Sequence, residues 1–472
     1  MSKLNATDIQ GFVLRGYNMP YARYCFLHFE DGRRACELIR RLLPVVTTGQ
    51  LWDQGKPQST VNIAFTHQGL VRLDLPIATL ISFPVEFQQG MQKRGGILGD
   101  TGVNSADNWD QVWRQGHVHA WLGIHALSTE ALDARSAEMQ SLMAETGGAR
   151  LLHSQDAAAI VMEGKVTAKE HFGYTDGFGN PDYLGVCRST QPGQGKLMSD
   201  GTWAPLATGE LLLGYADEAG ELPVAPIPHL LASNGTFMVY RKLHQNVGTF
   251  RHFLDKWGAR YGAGDAYARE KLASKFIGRW RDGTPVERSP DHPDPAMTQD
   301  PSQSTNFTYG NDADGTRCPI GAHIRRVNPR DAFGFQGRLI NRRRITRRGL
   351  PYGPFSLEDN AAAEQDPSEL DAIDRGVIFM ALNASISRQF EFVQQQWIAY
   401  GNDAHLGNEK DLLMGSHSEG EKYAIQGDAS RANPPFFCTS LPNFVELRGG
   451  EYFFLPSITA LGMIAMSLVD PR

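Results

Sequence analysis

The chain has 472 residues, of which 41% are apolar and 21% charged, and its formal net charge is −6. This length exceeds the ~250 to 300 residues at which single hydrophobic cores stop growing, so the sequence predicts two domains. The composition is that of an ordinary globular protein. The net negative charge argues against a general nucleic-acid binder, because such binding requires broad neutralisation of phosphates.

Three features bear on where the protein works. The five cysteines are scattered without CxxC or CxxxC spacing, which disfavours a disulfide framework or a zinc site and fits a reducing compartment. The N-terminal segment 1–11 lacks the layout of a secretory signal. The apolar run 453–469 is too short and too polar to span a bilayer, so we expect a buried helix opened by Pro456. The sequence predicts a cytoplasmic protein without membrane or nucleic-acid partners, and it is compatible with a homo-oligomer.

The N-terminal half alternates between strand and helix patterns. Strand-like apolar stretches cover 22–30, 61–73 and 117–126, and helical patterns cover 35–46 and 131–146. The order strand, helix, strand, strand, helix is that of a split βαβ unit. We therefore expect an antiparallel sheet with helices on one face, which is the α+β class.

The C-terminal half repeats this theme without a visible sequence repeat. Strands are predicted at 234–243, 375–386 and 450–456, and helices at 266–280 and 387–400. Long loops rich in Asp, Pro, Asn and Gly connect them, notably at 281–306 and 358–370. Loops of this length inside a domain are typical of segments that surround a ligand or are disordered.

A basic cluster of ten arginines extends from Arg317 to Arg348, and His323 stands within it in the run CPIGAHIRRVNPR. A neutral imidazole is the usual proximal ligand of peroxidase iron, and guanidinium groups match the two haem propionates in charge and geometry. His323 is therefore the candidate metal ligand, and Arg326 and Arg330 are candidates for binding the cofactor. The alternatives are a solvated basic strand edge and a polybasic localisation signal.

A second unusual run, EHFGYTDGFGNP, places Asp176 on a glycine-rich bend. Peroxide cleavage requires a group that carries a proton from the inner to the outer oxygen, and a fixed cation that stabilises the developing negative charge. Asp176 and an arginine can supply both, and the neighbouring glycines allow close approach of backbone and ligand. The alternative is an ordinary turn, since Asp-Gly and Asn-Pro are strong turn formers.

These runs resemble a known family. HFGYTDGFGNP is similar to the GxxDG motif of dye-decolorizing peroxidases, and GAHIRRVNPRD followed by RRGLPYG resembles their proximal-histidine and distal-arginine segments. Further likenesses, among them IQGFVLRGY, LLLGYADEAGELP and GGEYFFLPS, extend over most of the chain. The resemblance implies two ferredoxin-like α+β modules with antiparallel sheets. We place them at 1–220, with the GxxDG loop, and at 221–472, with the proximal histidine and most of the haem pocket.

The resemblance also implies roles for the polar residues of the site. Asp176 matches the distal acid-base residue, and His323 matches the proximal iron ligand. Arg347 matches the distal arginine, with Arg348 and Arg344 as competitors.

Three further residues are assigned by their position in similar segments. Val377 and Phe379 match two apolar residues over the distal face. Glu391 is the candidate carboxylate that accepts a hydrogen bond from the axial histidine, an interaction that raises ligand basicity. The alternative for Glu391 is a surface pair with Arg388.

The implied protein is a haem b peroxidase that reduces hydrogen peroxide and oxidises phenols and anthraquinone-type dyes by one-electron steps through a ferryl intermediate. Bulky dyes cannot reach a buried iron, so surface aromatic residues are candidate electron relays, namely Trp280, Trp397, Tyr400 and Tyr452. One alternative is a haem-binding protein of the same fold that releases iron from haem. Another is a regulatory nucleic-acid binder that uses the arginine cluster.

Overall fold

The structure, a computed structural model, describes residues 4–334, 337–355 and 366–470. The elements of its N-terminal module are β1 (Tyr21–Phe29), α1 (Gly32–Leu42), β2 (Ser59–Phe65), β3 (Ala120–Ala126), α2 (Thr129–Thr146) and β4 (Ala149–Ala158). The strands pair antiparallel in the order β2-β3-β1-β4. With a helix after β1 and another after β3, this is the ferredoxin-like arrangement.

The C-terminal module repeats this arrangement with longer insertions. Its elements are β5 (Thr236–Gln245), α3 (Val247–Gly258), α4 (Ala266–Ile277), α5 (His323–Val327), β6 (Thr346–Arg347), β7 (Leu350–Tyr352), β8 (Gly376–Asn383), two consecutive π-helical segments (Ser387–Glu391 and Val393–Ile398), β9 (Val445–Leu455) and α6 (Ile458–Ala465). The strands pair antiparallel in the order β6-β8-β5-β9, and β7 pairs with the start of β8.

The two modules share one sheet and one core. Strand β9 pairs with β2 through Phe454 and Phe65, which gives a single antiparallel sheet of nine strands among the described residues. Tyr24 on β1 and Tyr240 on β5 are separated by three strands in this sheet, yet their ring centroids are 6.3 Å apart. The sheet therefore curves on itself into a barrel, and the aromatic side chains of both modules fill its interior.

Strand β5 shows how this barrel positions a site. All ten of its residues are buried. Because successive side chains point to opposite faces, Tyr240 points into the barrel, whereas Arg241, Leu243 and Gln245 lie on the other face and line a cavity. The buried cation of Lys242, on the barrel side, is neutralised by two aspartates. The cavity thus lies between the outer face of this sheet and the loops of the C-terminal module.

The predicted α+β class with ferredoxin-like modules is confirmed. Predicted segment 61–73 is a strand only to Phe65, because Thr66 then caps a short helix through the Gly69 N–H. The C-terminal helix begins at Ile458 and is capped by Ser457, so Pro456 does not open it. The boundary proposed at residue 220 stays a prediction, since the modules share a continuous sheet.

Two parts of the sheet were not predicted. Strand β4 lies at the edge of the sheet and exposes much of its length, so its sequence, ARLLHSQDAA, lacks an apolar run. Strands β6 and β7 are too short to produce a pattern, and Pro351 interrupts the second. The predicted loop 358–370 lies partly outside the described residues.

The remaining described helices are short, and among them are His67–Arg72, Ile77–Ser82, Val85–Gln89, His229–Ala232, Pro295–Gln299, Arg338–Asn341 and Pro367–Asp371. In the described part of the chain, three two-stranded ribbons lie outside the main sheet, at 161–166, 196–204 and 422–439. Within the described residues, each helix is too short or too polar to cross a membrane.

Candidate active site

A cavity of about 300 Å³ lies against strands β5 and β8. Aliphatic and aromatic side chains form most of its wall, among them Phe172, Leu243, Ile277, Val327, Val377, Phe379, Phe390 and Met414. Val377 and Phe379, which were predicted to lie over the reaction face, are thus both in the wall. A small number of polar groups converge on the same space, and three of them are Asp176, His323 and Arg347.

A glycine-rich loop carries Asp176 into the cavity. Gly173, Gly177 and Gly179 have φ values of 91°, 93° and 80°, a backbone region that residues other than glycine rarely adopt. The N–H of Gly177 donates to Asp176 Oδ1 over 2.6 Å, and Arg347 Nη1 donates to the same oxygen over 2.7 Å. Neither bond uses Oδ2, so this oxygen is left for a ligand in the cavity.

Arg347 is fixed by both the sheet and the loop. It ends strand β6, where it pairs with Ala381 of β8. Its backbone N–H donates to Asn180 Oδ1, and its Nη2 donates to the carbonyl of Phe178 over 2.7 Å. The guanidinium is therefore held in one orientation, with one edge on the loop and another on Asp176.

The structure separates Arg347 from its two competitors. Arg348, the residue directly after strand β6, donates instead to the carbonyls of Phe12 and Val13. Arg344 lines the cavity but donates to the carbonyl of Gly179. Of these three arginines, only Arg347 contacts Asp176 within the described residues.

The environment of Asp176 favours the carboxylate form. Removal from water raises its pKa. This effect is outweighed by three groups that lower the pKa, namely Arg347, the Gly177 N–H and the His323 imidazole, so the net pKa lies below the usual range. At the same time 53% of its side-chain surface is accessible from the cavity. Asp176 is thus an anion that a small ligand can reach.

His323 is the first residue of helix α5, directly after the tight segment Pro319–Ala322. Its Nδ1 lies 3.0 Å from Oδ2 of Asp411, a fully buried carboxylate. The second oxygen of Asp411 accepts the N–H groups of Leu413 and Met414. Since Nδ1 is engaged and the ring lines the cavity, Nε2 is the nitrogen left for a ligand there.

Asp411 binds this histidine as a negatively charged carboxylate. Burial raises the pKa of Asp411, but His323, Arg326 and the Met414 N–H lower it more, so the net pKa lies below the usual range. A carboxylate on the far nitrogen fixes the tautomer of an imidazole and raises its basicity as a ligand. Sequence reasoning missed Asp411, because the run NEKDLLMG contains only a common turn signal and lies 88 residues from His323.

The assignment of Glu391 to the axial histidine was wrong. Glu391 is buried and receives two hydrogen bonds from Arg94, one on each oxygen, and a third from the Tyr452 hydroxyl over 2.8 Å. The π-helix that carries it turns this side chain away from the cavity, although the adjacent Phe390 lines the wall. The alternative of a surface pair with Arg388 is wrong as well, since Arg388 binds Glu210 and Asp217.

The assignment of Arg326 to the cofactor was also wrong. Arg326 is buried outside the cavity lining, and it donates to the carbonyls of Trp397, Tyr400 and Glu409. It therefore ties helix α5 to the backbone that leads to Asp411. Arg330, by contrast, lines the cavity, as predicted for a cofactor-binding residue.

Three buried arginines give the cavity a positive charge. Arg279, Arg330 and Arg344 line it and donate only to backbone carbonyls among the described contacts. Burial lowers the pKa of all three, to about 10 for Arg279 and Arg344. Buried cations without a paired anion are costly. Arg279 was not predicted, since it lies outside the arginine cluster.

These features fit haem. A flat apolar macrocycle matches the aliphatic and aromatic walls, a donor nitrogen of His323 is available for iron, and two propionates would neutralise the unpaired guanidinium groups. The observation that supports this fit is the set of three buried cations without a carboxylate in the described part of the chain.

The predicted relay residues differ in exposure. Trp280, Trp397 and Tyr452 are buried, at 3%, 5% and 1% exposure, so they are not surface sites. Tyr400 is 43% exposed. Their role in electron transfer stays a prediction.

Comparison with known proteins agrees with this geometry. Residues 8–153 match the family described as the DyP dimeric alpha+beta barrel domain. Over 97% of this chain and 87% of the relative, the sequence is 30% identical to Peroxidase 2 of Mycetinis scorodonius. It is 28% identical to a dye-decolorizing peroxidase of Auricularia auricula-judae over 98% of this chain and 87% of that protein.

Solved structures show the same likeness over the whole chain. An ancestral D-type dye-decolorizing peroxidase superposes with a TM-score of 0.82 at 28% identity, covering 98% of this chain and 99% of the other. A dye-decolorizing peroxidase in complex with 2,6-dimethoxyphenol gives 0.81 at 26% identity, covering 98% and 100%. This chain belongs to the dye-decolorizing peroxidase family, whose members are haem enzymes that use hydrogen peroxide.

Proposed function

We propose that Asp176 transfers the proton and Arg347 stabilises the charge in the peroxide reaction of this enzyme, with haem b held by His323. The observation that carries the proposal is the contact of 2.7 Å between Arg347 Nη1 and Asp176 Oδ1 in a cavity that His323 also lines. An anionic acceptor and a fixed cation thus face the same space as the nitrogen of His323 that would hold the iron.

Asp176 performs the proton transfer through Oδ2. Its depressed pKa keeps it a carboxylate, so it can accept the proton of a peroxide oxygen near the iron and return it to the outer oxygen as water leaves. The two hydrogen bonds on Oδ1 hold the carboxyl plane while Oδ2 reacts. When bound, haem supplies the iron that takes two oxidising equivalents from peroxide and passes them on one at a time.

Arg347 supplies the fixed cation. Cleavage of the O–O bond places negative charge on the leaving oxygen, and a preorganised guanidinium stabilises this charge without rearrangement. The bonds of Arg347 to Phe178 and Asn180 keep it in place during the reaction. Val377 and Phe379 make the rest of this wall apolar, which strengthens the electrostatic interaction.

His323 would hold the haem iron, and Asp411 supports this histidine. Asp411 orients the ring through Nδ1, and the two backbone N–H groups on its other oxygen prevent it from rotating. The proposal of haem b, bound without covalent links, is supported by the cavity lining, which contains none of the five cysteines.

The proposed reductants are phenols and anthraquinone-type dyes. Support comes from the relatives, several of which are named dye-decolorizing peroxidases, and from the solved neighbour bound to 2,6-dimethoxyphenol. The iron-releasing alternative is not favoured, because these relatives are named peroxidases. The nucleic-acid alternative is not favoured either, since Arg325, Arg326, Arg330 and Arg344 of the basic cluster are buried.

We propose the cytoplasm as the compartment. All five cysteines are free in the structure, and four of them are buried. This supports a protein that folds without disulfides. Cell fractionation of the native host would test the proposal, and recovery of the protein outside the cytoplasm would contradict it.

The test of the proposed function is Asp176→Asn. We expect the purified variant to bind haem normally and to react with hydrogen peroxide about 10²- to 10⁴-fold more slowly, as measured by stopped-flow absorption, because the amide cannot accept the proton. The matched control is Asp182→Asn in the same segment, whose carboxylate accepts only the Gln191 N–H among the described contacts. An unchanged rate for Asp176→Asn would exclude its role.

A further inference from the structure

The buried group of Tyr452, Glu391 and Arg94 has no part in the peroxide reaction described above. The Tyr452 hydroxyl donates to Glu391 Oε1 over 2.8 Å. Arg94 donates to both oxygens of Glu391, and Nη2 lies 2.7 Å from Oε2. Tyr452 and Glu391 are 1% and 3% exposed, so the phenol and its acceptor are shielded from water.

This group lies directly behind the cavity wall. The ring of Phe390, which lines the cavity, has its centroid 6.3 Å from that of Tyr452. Phe390 is in turn 6.3 Å from Phe379, also in the wall. Only the ring of Phe390 therefore lies between Tyr452 and the cavity along this path. An electron tunnels readily across one aromatic ring.

We propose that Tyr452 is a redox-active tyrosine that loses one electron to the peroxide-oxidised cofactor while its hydroxyl proton moves to Glu391 Oε1. The O–H bond of the phenol breaks, the cofactor is reduced by one electron, and a neutral tyrosyl radical remains beside a protonated Glu391. A phenolic reductant later returns the electron, and the proton moves back to Tyr452. Hydrogen peroxide supplies the oxidising equivalent, so the inference rests on the proposed function.

The proton acceptor distinguishes Tyr452 from the two tyrosines in the cavity wall itself. Removing an electron from a phenol makes its proton strongly acidic, so a nearby base lowers the cost of oxidation. Tyr309 lines the cavity, but its buried hydroxyl has no partner among the described residues. Tyr174 donates to the carbonyl of Ala273, which is a much weaker base than a carboxylate.

Charge adds to the difference. The guanidinium of Arg325 lies 4.4 Å from the ring centroid of Tyr309, and that of Arg281 lies 4.9 Å from the ring of Tyr174. A cation over the ring opposes the loss of an electron. Among the described cation–ring contacts, none is on the ring of Tyr452. The two guanidinium groups near it, of Arg94 and Arg241, are paired with Glu391 and Asp100. Desolvation and Glu391 raise the pKa of Tyr452 well above its ordinary value, so the resting group is a neutral phenol.

The experiment is freeze-quench electron paramagnetic resonance of the haem-loaded enzyme after one equivalent of peroxide and no reductant. We expect a tyrosyl signal that is lost in Tyr452→Phe and unchanged in the matched controls Tyr309→Phe and Tyr174→Phe. A signal that persists in Tyr452→Phe, or one that disappears in Tyr309→Phe or Tyr174→Phe, would overturn the proposal. The absence of any tyrosyl signal in the wild-type enzyme would do the same.

The role of Glu391 requires a variant that does not leave a buried charge unpaired. Arg94→Gln combined with Glu391→Gln removes both charges and keeps a polar side chain at each position. We expect this double variant to bind haem and react with peroxide at the wild-type rate, but to lose the Tyr452 signal. Retention of the full signal would show that Glu391 is not the acceptor. If the wild-type enzyme shows no absorption change with peroxide, the proposed function is contradicted. If it reacts with peroxide but forms no Tyr452 radical, only the present inference is contradicted.

Discussion

The two carboxylates of the site are used in different ways. Asp176 and its partner Arg347 form an open side, where the carboxylate reaches the cavity, and Asp411 and its partner His323 form a closed side, where the carboxylate is buried. Both have a pKa below the usual range, and both pair with a nitrogen group of the arginine-rich segment. Asp411 is fully buried, and both of its oxygens accept hydrogen bonds. Asp176 is 53% accessible, and both of its bonds are on one oxygen. A saturated carboxylate can only orient its partner, whereas one with a free oxygen can exchange a proton.

The first prediction tests the open side. Arg347→Gln removes the cation beside Asp176, and we expect the rate of reaction with peroxide to fall about 10²- to 10³-fold, since one preorganised charge-stabilising donor is worth this much. Arg348→Gln is the control, because Arg348 binds the carbonyls of Phe12 and Val13 instead. Equal rates for the two variants in stopped-flow experiments would contradict the assignment.

The second prediction compares two buried arginines near the site, Arg326 and Arg330. Both are buried and donate to backbone carbonyls, but only Arg330 lines the cavity. Loss of charged hydrogen bonds in Arg326→Leu should lower the free energy of unfolding by roughly 3 kcal/mol. We expect Arg330→Leu to weaken haem binding more than Arg326→Leu does in a titration of the apoprotein, because only Arg330 faces the cofactor directly. Equal or greater weakening in Arg326→Leu, with its fold intact, would restore it to the cofactor site.

Sequence reasoning succeeded where chemistry imposes a local pattern. Asp176 stands among glycines because the loop needs positive φ values at 173, 177 and 179, and such a requirement is visible in one short run. Arg347 was separated from Arg348 only by family resemblance. The structure adds that Arg347 ends β6 and binds Asp176, whereas Arg348, directly after the strand, binds the carbonyls of Phe12 and Val13.

It failed where the partner is distant in sequence. The hydrogen bond between His323 and Asp411 joins loops 88 residues apart, and a buried aspartate in a turn looks like any other. Glu391 was chosen by the likeness of its segment, but the π-helix places Phe390 in the wall and turns Glu391 toward Arg94. Arg326 and Arg330 have the same residue type and the same neighbourhood in sequence, so only three-dimensional packing distinguishes them.

The third prediction tests whether Asp411 acts only by orientation. Asp411→Asn keeps the shape of the side chain but removes the negative charge beside His323, and we expect haem affinity or activity to fall about 10- to 100-fold, the usual effect of removing the partner of a metal-bound histidine. Haem binding should respond in this variant, but not in Asp176→Asn. Titration of both apoproteins with haem would check this, and equal affinities would contradict the division between the two sides.

The last prediction is the pH dependence of the peroxide reaction. Asp176 must be a carboxylate to accept the proton, and its pKa lies below its ordinary value of about 3.9. The rate in the wild-type enzyme should therefore stay level from neutral pH down to about 4 and fall only below this value. A depressed pKa also stabilises the fold above the pKa of the unfolded chain, and this contribution is lost as the pH falls through the folded pKa.

Two variants identify the group that causes this acid limb, which is the fall in the peroxide reaction rate at low pH. Among the groups that lower the pKa of Asp176, Arg347 is the largest, ahead of the Gly177 N–H and His323, and together they outweigh desolvation. Arg347→Gln should therefore move the acid limb to higher pH, where desolvation then dominates. Asp411→Asn should leave the limb in place, because Asp411 does not contact Asp176. An acid limb that moves in Asp411→Asn but not in Arg347→Gln would show that the closed side, and not the open one, sets the proton transfer.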